Sequence, residues 1–109
     1  SLDTHGFELR HSPTLMAYES FYDDDRTVID QYYPECVELV KAATGASTVL
    51  AFDHNLRSAQ GKATGRTVQG GSAVQGPAGI VHNDYTLTGA PRRLEQLAEA
   101  PKLNDTLRK

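Results

Sequence analysis

Ile29, Tyr32, Tyr33, Cys36, Val37, Val40 and Ala43 recur at three- and four-residue steps and define one apolar stripe. The spacing predicts a helix over about residues 25–44, with that stripe buried. Pro34 falls inside the pattern. It lacks an N–H and crowds the preceding turn, so the sequence requires either a kink or two abutting helices, the second starting near Pro34. Gly45 is placed to end the helix in the left-handed region. Asp23, Asp24 and Asp25 stand at the helix start, where carboxylates cap free N–H groups and suit the positive end of the dipole. A metal-binding acidic cluster is the sharper alternative, but consecutive acids on a helix do not face one site.

After Gly45 the period changes. Ser47-Thr48-Val49-Leu50-Ala51-Phe52 is rich in β-branched and aromatic residues and reads as a strand. It continues through Asp53-His54-Asn55-Leu56-Arg57. In that register His54 shares a face with Phe52, while Asp53, Asn55 and Arg57 share the other. Residues 58–77 then carry Gly61, Gly65, Gly70, Gly71 and Gly76 among Ser, Thr and Gln, with almost no apolar content. Such a run predicts a flexible loop, either a mobile active-site loop or a disordered one. Its glycines match no phosphate-binding fingerprint.

Ile80-Val81-His82-Asn83-Asp84-Tyr85-Thr86 reads as a second short strand. His82 and Asp84 are two apart, so alternation puts both on one face with Cα atoms about 6–7 Å apart. One imidazole and one carboxylate at that spacing can converge on a metal. They are two-thirds of the 2-His-1-carboxylate set of non-haem iron(II) oxygenases. The plainer alternative is a polar strand end with a solvated Asp and a packed His. A second helix is expected from Thr88 or Gly89, with Pro91 in its first turn, an apolar stripe of Leu94, Leu97 and Ala98, and Pro101 as its stop. Near the start, residues 7–9 suggest a brief strand flanked by exposed His5 and His11.

A length of 109 residues suits one domain, 1–109. The formal net charge of -3 and the absence of a basic stripe argue against a nucleic-acid binder, since Arg92-Arg93 and Arg108-Lys109 are the only adjacent basic pairs. The single Cys36 excludes an internal disulfide, fits a reducing compartment, and sits among apolar neighbours that suggest a buried structural thiol. No apolar run reaches membrane-spanning length and nothing resembles a signal peptide, so the expected location is cytoplasmic. A hydrolase built on His82 and Asp84 is disfavoured. No serine or cysteine stands in a nucleophile context, and two residues along one strand are poorly placed to act as base and orienter.

Taken in order, Phe21-Tyr22-Asp23-Asp24, Tyr32-Tyr33-Pro34-Glu35, the run Phe52 to Arg57, Val81-His82-Asn83-Asp84-Tyr85-Thr86 and Ala90-Pro91-Arg92-Arg93 carry a specific likeness. They resemble the N-terminal half of the iron(II)- and 2-oxoglutarate-dependent hydroxylase/desaturase family related to cephalosporin 7α-methoxylation hydroxylase and fungal meroterpenoid oxygenases. The resemblance implies an α+β fold, an N-terminal helix plus part of a double-stranded β-helix (a cupin-like jelly roll) left incomplete in this chain. It implies Fe(II) as cofactor and 2-oxoglutarate as cosubstrate, and His82 and Asp84 as metal ligands. Asp53, His54, Asn55, Arg57, Tyr85 and Thr86 would lie around the metal, the substrate or the cosubstrate.

The family's second ligand histidine and its 2-oxoglutarate anchor lie further along than this sequence runs. Only His5, His11 and His54 remain as further imidazoles, and none has a matching motif. The expectation is therefore an N-terminal portion of an oxygenase that acts on a small molecule. The alternative is a non-catalytic binding or self-assembling module, pairing with itself or another chain through exposed strand edges.

Overall fold

A computed structural model describes residues 1–98. The helices are α1 (Leu2–His5), α2 (Ser20–Asp23), α3 (Asp25–Thr27), α4 (Tyr33–Thr44), α5 (Ala59–Thr64) and α6 (Gly89–Ala98), with a π-helical turn, Val28–Tyr32, joining α3 to α4. The expected Pro101 stop lies outside the described residues.

The Pro34 problem is solved one turn upstream. In a regular helix its ring would press on the carbonyl four residues back. Instead the Tyr33 N–H donates to the Val28 carbonyl, five residues back, and the widened turn makes room for the ring. Pro34 then sits in the first turn of α4, where no N–H is needed. At the other end Gly45 is left-handed, with φ 72°, and its N–H donates to the Lys41 carbonyl at 2.8 Å. Of the three aspartates, Asp24 is the cap: it accepts from the Thr27 N–H at 3.1 Å and the Thr27 hydroxyl at 2.6 Å. Those bonds favour its charged form and hold its carboxyl below the ordinary value.

The core is small. Met16, Val28 and Tyr33 are buried together, with Phe21, Ile29, Tyr32 and Ala51 packed against them. The N-terminal segment is tied down by Glu35, which accepts from the Thr14 hydroxyl at 2.6 Å and the Leu15 N–H at 3.2 Å.

The expected part of a jelly roll is absent among the described residues. They contain no strand, only two isolated bridges, Arg57 with Gln75 and Thr67 with Ala73. The physical reason lies in the backbone. From 47 to 56 and from 77 to 88, no N–H donates to a backbone carbonyl among the described residues. A β-rich stretch without a ladder partner stays irregular, whatever its side-chain pattern. The architecture of the described residues is therefore helices and loops.

Residues 58–77, expected as a flexible loop, contain α5. The Ser58 hydroxyl caps it by accepting from the Gly61 N–H at 3.0 Å, and Gly65 ends it at φ 71°. Gly61 is buried because Val74 crosses it: a Cβ there would meet Val74 Cγ1 at 3.0 Å. The segment after α5 docks on α2 and α3. The Gln69 N–H donates to the Tyr22 carbonyl at 2.7 Å, and Gln69 Oε1 accepts from the Asp25 N–H at 2.7 Å. The Arg66 guanidinium lies 3.5 Å over the Tyr22 ring and pairs with Glu19. No helix among the described residues is long and apolar enough to cross a membrane.

Candidate functional site

The His82 segment is exposed and bent rather than extended in a ladder, yet its two candidate ligands still converge. His82 Nε2 lies 3.4 Å from Asp84 Oδ1, with side-chain exposures of 55% and 79%. His82 Nδ1 lies 2.8 Å from the Ile80 carbonyl oxygen. A carbonyl can only accept, so Nδ1 carries the proton and the neutral ring has a bare lone pair at Nε2. Two acceptors therefore face one another, and a cation between them is what satisfies both. A proton would make a surface ion pair; a divalent metal is the other choice. Donors about 2.1 Å from a common metal lie about 3.0 Å apart at a right angle and about 3.4 Å apart at a tetrahedral one. The observed separation fits this range, and a backbone carbonyl holding the ring's other nitrogen is how ligand histidines are commonly oriented. The packed histidine of the plainer alternative is not what the structure has. Among the described residues no third His, Cys, Asp or Glu joins the pair.

The other expected residues gather around two clefts on either side of 53–57. Phe52, Asp53, His54, Asn55, Asp84 and Tyr85 line one of about 470 Å³. A second, of about 530 Å³, has Asp53, His54, Asn55 and Arg57 facing Asp25 and the 68–75 segment. The expected alternation of faces does not sort these residues, because the stretch is not a strand. Asp53 Oδ1 accepts from the His54 N–H at 2.8 Å. Arg57 is committed to the loop, donating to the Gly76 carbonyl at 3.1 Å and to Gln75 Oε1 at 3.4 Å. Tyr85 stacks edge-on against Phe52, with centroids 6.4 Å apart, and the Arg93 guanidinium lies 4.7 Å over the same Phe52 ring. Thr86 serves the fold, since its hydroxyl accepts from the Gly89 N–H at 3.0 Å and caps α6.

One residue of this site is visible only in three dimensions. The Tyr33 hydroxyl lies 2.8 Å from His54 Nδ1, and the rings meet edge to face at 5.6 Å. The sequence shows Tyr33 as a stripe position on the helix, which it also is. Nothing in a pattern of threes and fours pairs it with a histidine 21 residues on. Burial, and then the charges of Asp53 and Asp25, push the Tyr33 phenol up to about 12.

Comparison with known proteins agrees with the resemblance. The family described as the YDMC oxidoreductase/YMDC permease-like domain matches residues 1–109. An uncharacterized protein in the dcmA 3′ region of Methylophilus leisingeri is 37% identical over 109 residues, all of this chain and 50% of that protein. The hydroxylase/desaturase efuI of Hormonema carpetanum is 35% identical over 106 residues, 92% of this chain and 35% of its own length. The alpha-ketoglutarate-dependent dioxygenase tstK of Talaromyces stipitatus is 45% identical over 58 residues, 53% of this chain and 21% of its own. The chain thus spans at most half the length of these curated relatives. No solved structure matches it. The chain belongs to this oxidoreductase family, alongside the hydroxylase/desaturase and dioxygenase relatives whose motifs it carries.

Proposed function

We propose that the chain provides two ligands, His82 and Asp84, to the iron(II) site of a 2-oxoglutarate-dependent oxygenase that hydroxylates or desaturates a small molecule. The observation that carries this reading is the bare Nε2 of His82 facing the Asp84 carboxylate, with Nδ1 held by the Ile80 carbonyl. The names of the dioxygenase and hydroxylase/desaturase relatives support the class of chemistry. Iron(II), when bound, supplies the activation of dioxygen, with 2-oxoglutarate as cosubstrate. The chain's own residues would hold the metal from one side and shape the clefts at 53–57 beside it. The remaining donors would come from outside the described residues, so binding by this chain alone is weak.

Calorimetric titration with Mn(II) under anaerobic conditions tests the pair. Wild type is expected to bind in a one-to-one ratio, and His82→Ala to lose at least about tenfold in affinity. Equal heats from the two proteins would defeat the proposal.

A second reading, a binding or self-assembling module, rests on the backbone of 47–56 and 77–88, whose N–H groups donate to no backbone carbonyl among the described residues, and on side chains such as Val81 and Leu87 that are 100% and 96% exposed. The occupant it implies is a second copy of this chain. Light scattering over a concentration series would show a dimer on this reading, and a monomer at every concentration would exclude it.

A further inference from the structure

His54 is the one side chain that lines both clefts and is also anchored to the buried core. Its Nδ1 faces a phenol, which can donate or accept. Two considerations choose between these. The Tyr33 hydroxyl has no other hydrogen-bond partner among the described residues, so accepting from Nδ1–H would leave its own proton without an acceptor in a buried place. The same burial keeps the phenol protonated across the whole neutral range. Donation from Tyr33 to Nδ1 satisfies both groups and leaves the ring's proton on Nε2.

Nε2 has no partner within the described residues, and it is not sealed from solvent. As the ring's remaining polar atom it is therefore an open N–H donor at the clefts. A protonated Nε2 cannot bind a metal, so His54 is not the missing third ligand. What it can bind is an oxygen. The clefts also carry Asp25, Asp53 and Asp84, against the single guanidinium of Arg57, whose Nη1 is held by the Gly76 carbonyl. A carboxylate or phosphate beside His54 would meet three carboxylates against one guanidinium among the residues lining the two clefts.

We propose that Tyr33 is a positioning residue that fixes His54 as an Nε2–H donor, and that His54 selects an uncharged carbonyl oxygen, of a ketone, ester or amide, on the small molecule bound in these clefts. The inference rests on the small-molecule reading given above. It can fail separately, because the metal is probed at His82.

The test uses the full chain with ¹⁵N-labelled histidine at mildly alkaline pH, where imidazoles are neutral. Long-range proton–nitrogen spectra are expected to show His54 as the Nε2–H tautomer in wild type and as a tautomer mixture in Tyr33→Phe, which keeps the ring in the core. N,N-dimethylacetamide, as a neutral carbonyl probe, is expected to shift His54 Nε2 saturably, with about fivefold weaker affinity in Tyr33→Phe. Acetate is expected to bind at least about fivefold more weakly than the amide. An Nδ1–H tautomer in wild type, an unchanged tautomer in Tyr33→Phe, no response to the amide, or acetate binding as well as the amide would each overturn the proposal. Mn(II) affinity at His82 is expected to stay the same in Tyr33→Phe, and its loss would overturn the separation of the two sites.

Discussion

His54 and His82 each place Nδ1 2.8 Å from an oxygen, and the kind of oxygen separates their chemistry. A main-chain carbonyl accepts a hydrogen bond from His82 Nδ1–H and leaves Nε2 bare, as the proposed metal would require. A buried phenol donates a hydrogen bond to His54 Nδ1 and leaves Nε2–H as a donor, as the proposed carbonyl-bearing ligand would require. The surroundings differ as much as the tautomers. His54 leans on a core tyrosine, whereas His82 stands on a segment whose backbone has no hydrogen-bonded neighbour strand among the described residues. The chain therefore offers one imidazole already fixed by its fold and another fixed only by its own turn.

The largest expected effect breaks the anchored side. Tyr33→Ala removes an aromatic ring from the Met16–Val28–Tyr33 core and should cost roughly 3–5 kcal/mol, read as a lowered denaturant midpoint. Gly61→Ala comes next. Its new Cβ would meet Val74 and Ser58 at 3.0 and 3.2 Å, and that crowding should destabilise by about 1–3 kcal/mol by loosening the loop that faces 53–57. A pH titration reads the anchored tyrosine directly. The Tyr33 phenol is raised to about 12, above its ordinary 10.0, so the folded state holds its proton more tightly than the unfolded one. That contribution is complete below pH 10.0 and is lost as pH rises toward about 12. Phenolate absorbance should show a late-ionising tyrosine in wild type that is missing in Tyr33→Phe. The smallest effect lies on the unanchored side. His82→Ala should change stability by no more than about 0.5 kcal/mol, because the imidazole side chain is 55% exposed and bonds only within its own segment. A larger loss would mean that the 80–86 segment is held more firmly than its missing backbone bonds imply.

What can be read from the chain follows the range of the forces involved. The α4 helix, its Gly45 terminus and the Asp24 cap depend on residues within four or five positions of one another, and all three are legible in the sequence. Ser58 and Gly65 mark the ends of α5 in the same local way, but the glycine content around them masks the signal. The strands expected at 47–52 and 80–86 are legible only as patterns, because a strand also needs a neighbour and the described residues supply none. His82 and Asp84 meet despite that, since two residues apart is close enough for a bend to bring them together. The Tyr33–His54 contact joins a helix to a loop across 21 positions and leaves no periodic trace.

The most direct test of the proposed His82–Asp84 metal site is the His82 resonance during a Mn(II) titration of ¹⁵N-histidine-labelled protein, in wild type and in Asp84→Asn. Substoichiometric Mn(II) is expected to broaden His82 first in wild type, and Asp84→Asn to need at least about tenfold more metal for the same broadening. Broadening that begins elsewhere, or that is equal in the two proteins, would contradict it.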